Sequence, residues 1–289
     1  MPPTGVNGTC SDEPPSCCVE RAAGRDAERD GRFAVSAIEV LLGIAIGFAS
    51  GALSGLFGVG GGIVMTPGLQ VMMDAAPIVA LATPLPVILP TALTGALTYR
   101  RAGEVDQRAA VWMIGPGVLA SISGALLTRY IDTHLLLVIT AALLAYQAFG
   151  ILRGSRDRRG PSFEATTSMY VGLGLVAGFV SGLLGIGGGL VMVPLLVGWL
   201  GMPLKRALGT SLLAIVALVI PGTITHAALG HIDWTSFLVL TIGAVPGARL
   251  GAKLALGTHE RTLRLLVGGF LLVVATAYGV AEARELLGR

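Results

Sequence analysis

Long stretches without a charged side chain alternate with short polar stretches along this chain. No Asp, Glu, Lys or Arg occurs from Val40 to Met73, and the same holds from Ala165 to Leu204. A bilayer span needs about 20 mostly apolar residues, so the longest of these stretches have room for two helices. The pattern therefore predicts an all-α polytopic membrane protein.

The apolar stretches divide into ten segments where glycine, proline or charge interrupts them. They lie near residues 34–57, 61–74, 77–99, 109–130 and 134–152, and near 166–184, 188–200, 206–226, 234–254 and 262–282. The second segment of each set is short for a full span, and the residues leave open whether it crosses the bilayer or turns back. Pro84, Pro86 and Pro90 are expected to interrupt the third segment.

The chain contains one pattern twice, 127 positions apart. GALSGLFGVGGGIVMTP at residues 51–67 returns as GFVSGLLGIGGGLVMVP at residues 178–194, and Thr83 and Asp106 meet identical residues at the same offset. A constant offset over so many residues indicates two homologous halves. We predict a disordered tail at 1–33, a first transmembrane repeat at 34–153, a linker at 154–164 and a second repeat at 165–289.

Basic residues mark equivalent loops of the two halves with opposite bias. The loop around Arg100, Arg101 and Arg108 is basic, whereas its partner at 226–234 has no Lys or Arg, and two further loop pairs also differ. Under the positive-inside rule this bias predicts an inverted repeat with a cytoplasmic linker. The N-terminal tail fits this orientation poorly, because it contains four arginines and should lie outside.

Each half places three consecutive glycines inside an apolar run. Glycine in a helix interior costs about 1 kcal/mol relative to alanine, so the sequence predicts a helix broken at a Gly-Gly-Gly motif in each half. Irregular backbone persists in hydrocarbon only where protein or a water-filled cavity surrounds it. A helix that restarts there presents unpaired N–H groups and a positive dipole end, which suit an anion.

Two such helix starts meeting near the midplane would form a pseudo-symmetric anion site, as in secondary transporters. Hydroxyls that repeat in both halves could complete it, although each could instead bond its own helix. The candidate substrate-binding residues are Ser54, Gly58, Gly60, Gly61, Gly62, Thr83, Ser181, Gly185, Gly187, Gly188, Gly189 and Thr210.

Glycines at four-residue spacing have a simpler interpretation. Gly47, Gly51 and Gly55, with Gly174, Gly178 and Gly182, are expected to form helix-packing surfaces. Packing remains an alternative for the glycine triplets as well. A dinucleotide fingerprint is disfavoured, because Gly58-x-Gly60 lacks the strand, turn and helix that give that pattern meaning.

Composition narrows the function further. The chain is 53% hydrophobic and only 13% charged, against about 25% in soluble proteins, and its mean hydropathy is +0.78. Its net charge of +3 is better explained by topology signals than by nucleic-acid binding. The three cysteines lie in the tail without zinc spacing, so no metal and no cofactor is expected. The spans offer no catalytic cluster, which disfavours a membrane-embedded enzyme.

The doubled motif resembles the TauE/SafE family of membrane permeases, also called the sulfite exporter family, over residues 34–283. By position the family signature falls on Ser54, Gly58, Gly60–Gly62 and Pro67, and on Ser181, Gly185, Gly187–Gly189 and Pro194. The resemblance implies transport of sulfur-containing oxyanions such as sulfite or sulfoacetate, usually outward across the bacterial inner membrane. It leaves the individual anion and the oligomeric state undecided.

The expected function is therefore a secondary carrier for a small anion, with alternating access around the two glycine breaks. Coupling to protons is a hypothesis, motivated by the lack of a nucleotide-binding segment. An anion channel of the same fold, with conductance far above carrier turnover, is the first alternative. A non-transporting membrane scaffold or sensor is the second, although it would not need paired helix breaks.

Overall fold

The computed structural model describes residues 37–72, 77–127, 145–146, 148–150, 166–184 and 189–287. The predicted tail at 1–33 and linker at 154–164 lie outside these residues, as do Gly185, Gly187 and Gly188. The chain divides into a unit Met1–Val40 and a unit Leu41–Arg289. The contacts below belong to the second unit.

The described residues form helices and short connections and contain no strand, as the apolar pattern predicts. The helices are α1 Ala37–Phe57, α2 Gly62–Met72, α3 Pro77–Ala82, α4 Pro84–Arg101, α5 Gln107–Leu127, α6 Thr167–Leu184, α7 Gly189–Gly198, α8 Leu204–Ala228, α9 Trp234–Gly257 and α10 Glu260–Leu287.

Within the described residues, four stretches are long and apolar enough to cross a membrane: Val40–Phe57, Ile78–Arg101, Leu204–Ala228 and Trp234–Gly257. In contrast, α2 has 11 residues and α7 has 10. At 1.5 Å per residue they are about 15 Å long, half of the roughly 30 Å hydrocarbon core. As described, each of these two helices is therefore shorter than a full span.

The prolines of the third segment interrupt it less than predicted. The N–H of Thr83 still donates to Val79 O at 2.8 Å, and α4 then continues through Pro90 to Arg101. Pro84 and Pro86 lie in the first turn of α4, where a missing N–H leaves no helical bond unmade. The expected interruptions at Pro86 and Pro90 were therefore wrong.

The outer faces of the helices are apolar. On α9, Leu238 and Ile242 are 60% and 63% exposed, whereas Ala244 and Ala248 on the opposite face are fully buried. Large exposed apolar surfaces are rare in soluble monomers and suit contact with lipid. Together with the four long apolar helices, this surface makes the chain a multi-pass membrane protein.

The first helix of each half packs against a helix of the other half. A Cβ added to Gly47, Gly51 or Gly55 of α1 would strike the backbone carbonyls of Leu240, Ala244 and Ala248 on α9. In the same way, Gly174 and Gly178 of α6 lie against the carbonyls of Met113 and Gly117 on α5. The predicted packing role of these five glycines is confirmed, and Gly182 lies outside the residues whose contacts are described.

These two helix contacts are equivalent under the 127-residue offset. Shifting Gly47 forward by 127 gives Gly174, and shifting its partner Leu240 back by 127 gives Met113. The halves therefore exchange equivalent contacts, and each half contributes to two tightly packed helix pairs, α1 with α9 and α5 with α6.

The central helices α4 and α8 run in opposite directions. Position Gly95 lies against Leu212, and Gly222 against Leu85, so residue numbers rise along α4 as they fall along α8. A shift of 127 residues turns each of these two contacts into the other. Two helices at equivalent positions in the repeat thus lie antiparallel to each other.

Basic residues gather at one end of this helical unit. The loop after α4, which follows Arg100 and Arg101, lies against Gly209 near the start of α8, which carries Lys205 and Arg206. Lys205 Nζ also donates to Leu256 O at the end of α9 at 2.6 Å. The loops that the sequence marks as basic in different halves therefore meet in space.

Candidate functional site

A non-helical connection separates α1 from α2. The first helix ends at Phe57 and the next begins at Gly62. Between them Gly58, Gly60 and Gly61 have φ angles of +70°, +88° and +84°. L-residues with side chains rarely adopt this left-handed region, so the glycines are needed here for their backbone conformation.

This connection is buried in protein. Gly58, Gly60 and Gly61 are buried, and Val59 between them is only 6% exposed. Irregular backbone at this depth needs internal hydrogen-bond partners because lipid provides none. The glycine segment therefore faces the protein interior and not the acyl chains.

Buried hydroxyl groups fix the carbonyl oxygens of the segment. Ser50 Oγ donates to Gly61 O at 2.5 Å, and Ser211 Oγ lies 3.1 Å from Gly58 O and 2.8 Å from Leu208 O. One turn earlier, Tyr99 Oη donates to Gly55 O at 3.0 Å. The carbonyls thus point towards side chains that hold them in place.

The amides of the segment are placed differently. Within the described part of the chain, the backbone N–H groups of Gly60, Gly61 and Gly62 donate no hydrogen bond. The first N–H groups of a helix have no acceptor within that helix. The start of α2 therefore offers donors together with the positive end of a helix dipole.

Ser54 adds a hydroxyl without a partner beside these amides. Its side chain is fully buried, and Oγ makes no hydrogen bond to any residue that the structure describes. Its Cβ lies 3.4 Å from the position that a Cβ on Gly61 would take. An unpaired buried hydroxyl costs about 1–3 kcal/mol, so this atom calls for a functional explanation.

The start of α7 packs directly on the glycine segment of the other half. A Cβ on Gly189 would lie 2.7 Å from Gly58 O and 2.8 Å from Val59 Cα. The structure therefore brings Gly58, Gly60, Gly61, Gly62 and Gly189 together with Ser54. The two helix starts are therefore in van der Waals contact at Gly58, Val59 and Gly189.

Two isoleucines at equivalent positions hold the segment from either side. A Cβ added to Gly60 would lie 3.3 Å from Ile88 Cγ2 and 3.4 Å from Ile215 Cγ2. Ile88 Cδ1 also lies 3.3 Å from the Cβ position of Gly62, and Ile215 Cδ1 lies 2.6 Å from that of Gly189. Ile88 and Ile215 are related by the offset of 127, and so are Gly62 and Gly189.

The two candidate threonines are engaged elsewhere. Thr83 Oγ1 accepts from the N–H of Asp233, and Thr210 Oγ1 accepts from the N–H of Asp106. Ser181 lies in α6, but its side chain is outside the described set. Pro67 and Pro194 lie within α2 and α7.

Sequence reasoning missed several residues that hold the glycine segment. Ser50 aligns with Ala177, so the repeat gives no sign of its role, and in the sequence Tyr99 only marks the end of an apolar segment. Ile88 and Ile215 could have been found, because they match at the common offset. Every buried polar residue of the described chain carries a hydroxyl and no formal charge: Ser50, Ser54, Thr83, Thr91, Thr210 and Ser211.

The chain was compared with known protein families and with curated proteins. The family model described as Sulfite exporter TauE/SafE matches residues 43–278. The Probable membrane transporter protein YunE of Bacillus subtilis (strain 168) is 30% identical over 257 residues, which cover 80% of this chain and 94% of the relative.

Two further relatives have the same kind of name. A Probable membrane transporter protein of Xylella fastidiosa (strain Temecula1) is 30% identical over 239 residues, with 80% of this chain and 89% of the relative covered. One from Methanocaldococcus jannaschii is 26% identical over 243 residues, with coverage of 79% and 91%. No solved structure matches the chain significantly.

Proposed function

The chain belongs to the sulfite exporter TauE/SafE family of membrane transporters, and we propose that it exports small sulfur-containing oxyanions such as sulfite or sulfoacetate. The observation that carries this proposal is the buried glycine segment that leads into α2. There the free amides of Gly60 and Gly61 lie near Ser54, a buried residue whose hydroxyl has no partner among the described residues.

The chemistry of this site suits a weakly held anion. Backbone amides and a neutral hydroxyl can donate several hydrogen bonds to an oxyanion, and the helix dipole adds a partial positive charge. No formal charge is buried among the described residues. Such a site lacks a fixed counter-ion, so it releases its anion readily, as a carrier requires.

The transport cycle would be alternating access between two inverted repeats, 34–153 and 165–289. The antiparallel α4 and α8 and the exchanged contacts of the two helix pairs support an inverted pseudo-two-fold relation. A helix break at Gly185–Gly189 would complete the site in the second half, with Ser181 in the place of Ser54. Separation of Gly189 from Gly58 would then admit the anion.

The basic end of the helical unit would face the cytoplasm of a bacterial inner membrane, with linker 154–164 on the same side. Proton coupling remains part of the proposal as the driving force. In proteoliposomes containing a pH dye, sulfite movement should then change the internal pH. Sulfite flux without any pH change would remove proton coupling and leave the substrate assignment intact.

Purified protein should be stabilised by its substrate. Binding adds RT ln(1 + [L]/Kd), about 2.7 kcal/mol at 100 times Kd, so sulfite or sulfoacetate should raise the melting temperature measurably. Thiosulfate, taurine and sulfate complete the panel, with chloride at equal ionic strength as the control. A chain stabilised no more by any sulfur anion than by chloride would contradict the proposed substrate class.

Ser54→Ala should separate stability from binding. Removing an unpaired buried hydroxyl should leave the melting temperature unchanged or raise it, while the sulfite-dependent shift should fall. Ser50→Ala is the matched control, because it removes the hydrogen bond to Gly61 O and should lower the melting temperature. A full sulfite shift in Ser54→Ala would exclude Ser54 from the site.

A further inference from the structure

Two equivalent hydrogen bonds tie the central helices to the rest of the chain. The backbone N–H of Asp233 donates to Thr83 Oγ1 at 3.2 Å, and that of Asp106 donates to Thr210 Oγ1 at 2.9 Å. Both threonines are fully buried. The offset of 127 relates the two threonines and also the two aspartates, so each bond joins one half to the other.

Each aspartate also starts one of the outer helices. The Asp233 carboxylate accepts from the N–H groups of Thr235 and Ser236, which caps α9, and Asp106 Oδ1 accepts from Ala109 N–H in α5. Because α9 is packed with α1 and α5 with α6, each bond anchors a central helix to a tightly packed helix pair. We name these bonds the Thr83 latch and the Thr210 latch.

The two latches lie at opposite ends of the contact between α4 and α8. Thr83 is two residues before Leu85, which meets Gly222, and Thr210 is two residues before Leu212, which meets Gly95. Leu85 and Gly95 are ten residues apart, about 15 Å along the helix, so the latches lie about 20 Å apart.

The glycine segment lies between them. Ile88 and Ile215 contact Gly60 from either side. Ile88 lies in the stretch 85–95 of α4, and Ile215 lies in the stretch 212–222 of α8, between the two contacts that mark the ends. The Thr210 latch lies at the end that gathers Lys205, Arg206 and the loop after Arg101. The Thr83 latch lies at the other end, where the last turn of α8 carries His226.

We propose that the two latches are the alternating gates of the proposed anion site, one for each side of the membrane. This inference rests on the proposed function and adds the residues that decide which side opens. Breaking the Thr83 latch frees the start of α4 and opens the site outward, while the Thr210 latch keeps the cytoplasmic side closed. A bond between a neutral amide and a hydroxyl contributes little net free energy, so one latch can open while the other holds.

A cysteine reporter can test the gates from each side. The chain has cysteines only at Cys10, Cys17 and Cys18, so serine at these positions with Val59→Cys places a single thiol in the glycine segment. A membrane-impermeant maleimide is then applied to right-side-out and inside-out vesicles. Because one neutral hydrogen bond is lost, Thr83→Val should speed labelling about tenfold from the outside only, and Thr210→Val about tenfold from the cytoplasmic side only.

Matched variants keep the test specific. Thr91→Val on α4 and Thr223→Val on α8 remove hydroxyls that bond only their own helix, and Thr83→Ser and Thr210→Ser keep the latch hydroxyl. All four should label at the parent rate. If Thr83→Val or Thr210→Val does not reach the membrane, Thr→Ala at the same position replaces it.

The outcomes also separate this inference from the proposed substrate. Equal acceleration from both sides, no acceleration, or the same acceleration in Thr91→Val would overturn the gates. The sulfite-dependent melting shift is measured on the same proteins. Sided labelling without any sulfite shift would retain the gates and reject the substrate, whereas a sulfite shift without sided labelling would do the reverse.

Discussion

Replacing Gly61 with alanine is expected to abolish the sulfite-dependent melting shift. Gly61 has φ +84°, and a Cβ there would lie 2.8 Å from Ser50 Oγ and 3.2 Å from Ser50 O. The substitution would strain the backbone, displace the hydrogen bond to Gly61 O and turn the amides at the start of α2 away from the site. Calorimetry with sulfite on the purified variant would measure the loss of binding.

Gly103→Ala is the matched control for this experiment. Gly103 has a similar φ of +76°, but nothing lies within 4 Å of an added Cβ. The left-handed conformation costs about 1–2 kcal/mol for alanine, so both variants should lose at least that much stability, and Gly61→Ala should lose more because it also displaces the Ser50 hydrogen bond. Only Gly61→Ala should lose sulfite binding. Equal sulfite binding by the two variants would show that the glycine segment has only a packing role.

Replacing Gly51 with valine is expected to prevent stable packing of α1 on α9. An added Cβ would strike Ala244 O and lie 2.8 Å from Ala244 Cα, and these are backbone atoms that no rotamer change can move. Overpacking of this kind typically costs about 1–3 kcal/mol, and the two γ-methyls of valine should bring the cost to the upper end or beyond. Fluorescence-detected size exclusion would show loss of the folded peak, or thermal unfolding would show a melting temperature lower by about 10 °C.

The same substitution at Gly115 provides the control. Gly115 lies in α5 with nothing within 4 Å of an added Cβ, so Gly115→Val should leave stability nearly unchanged. Gly178→Val should match Gly51→Val, because Gly178 contacts the carbonyl of Gly117 on the equivalent helix pair. Folding of Gly51→Val like the wild type would mean that the close approach of α1 and α9 is not required.

The helix boundaries could be predicted closely because their signals are local. The predicted segments 166–184 and 234–254 became Thr167–Leu184 and Trp234–Gly257. The predicted interruptions at Pro86 and Pro90 were wrong, because the effect of a proline depends on its position in the helix. Pro86 in the first turn of α4 leaves no bond unmade, whereas the same residue further along would break one.

The candidate site was predicted only where both halves repeat it. Ser54 was selected because Ser181 matches it, but Ser50 aligns with Ala177 and Ser211 with Pro84. The hydroxyls of Ser50 and Ser211 both hold the same glycine segment, and this asymmetry hides them from any search by repeat. Thr83 and Thr210 were predicted as a pair, but their bonds to the aspartate amides depend on loops from opposite halves.

The sequence by itself determined that the chain is a helical membrane protein and that one glycine-rich motif occurs in it twice, 127 positions apart. Apolar stretch length and glycine placement are local properties, and the offset of 127 is a direct comparison of residue identities, so all three can be read without coordinates. Only the tertiary structure decided that Gly51 meets Ala244, that Gly189 lies on Gly58 and that Thr83 reaches Asp233. An offset shows which residues are equivalent, but which of them touch depends on long-range packing between the halves, and no local pattern records it.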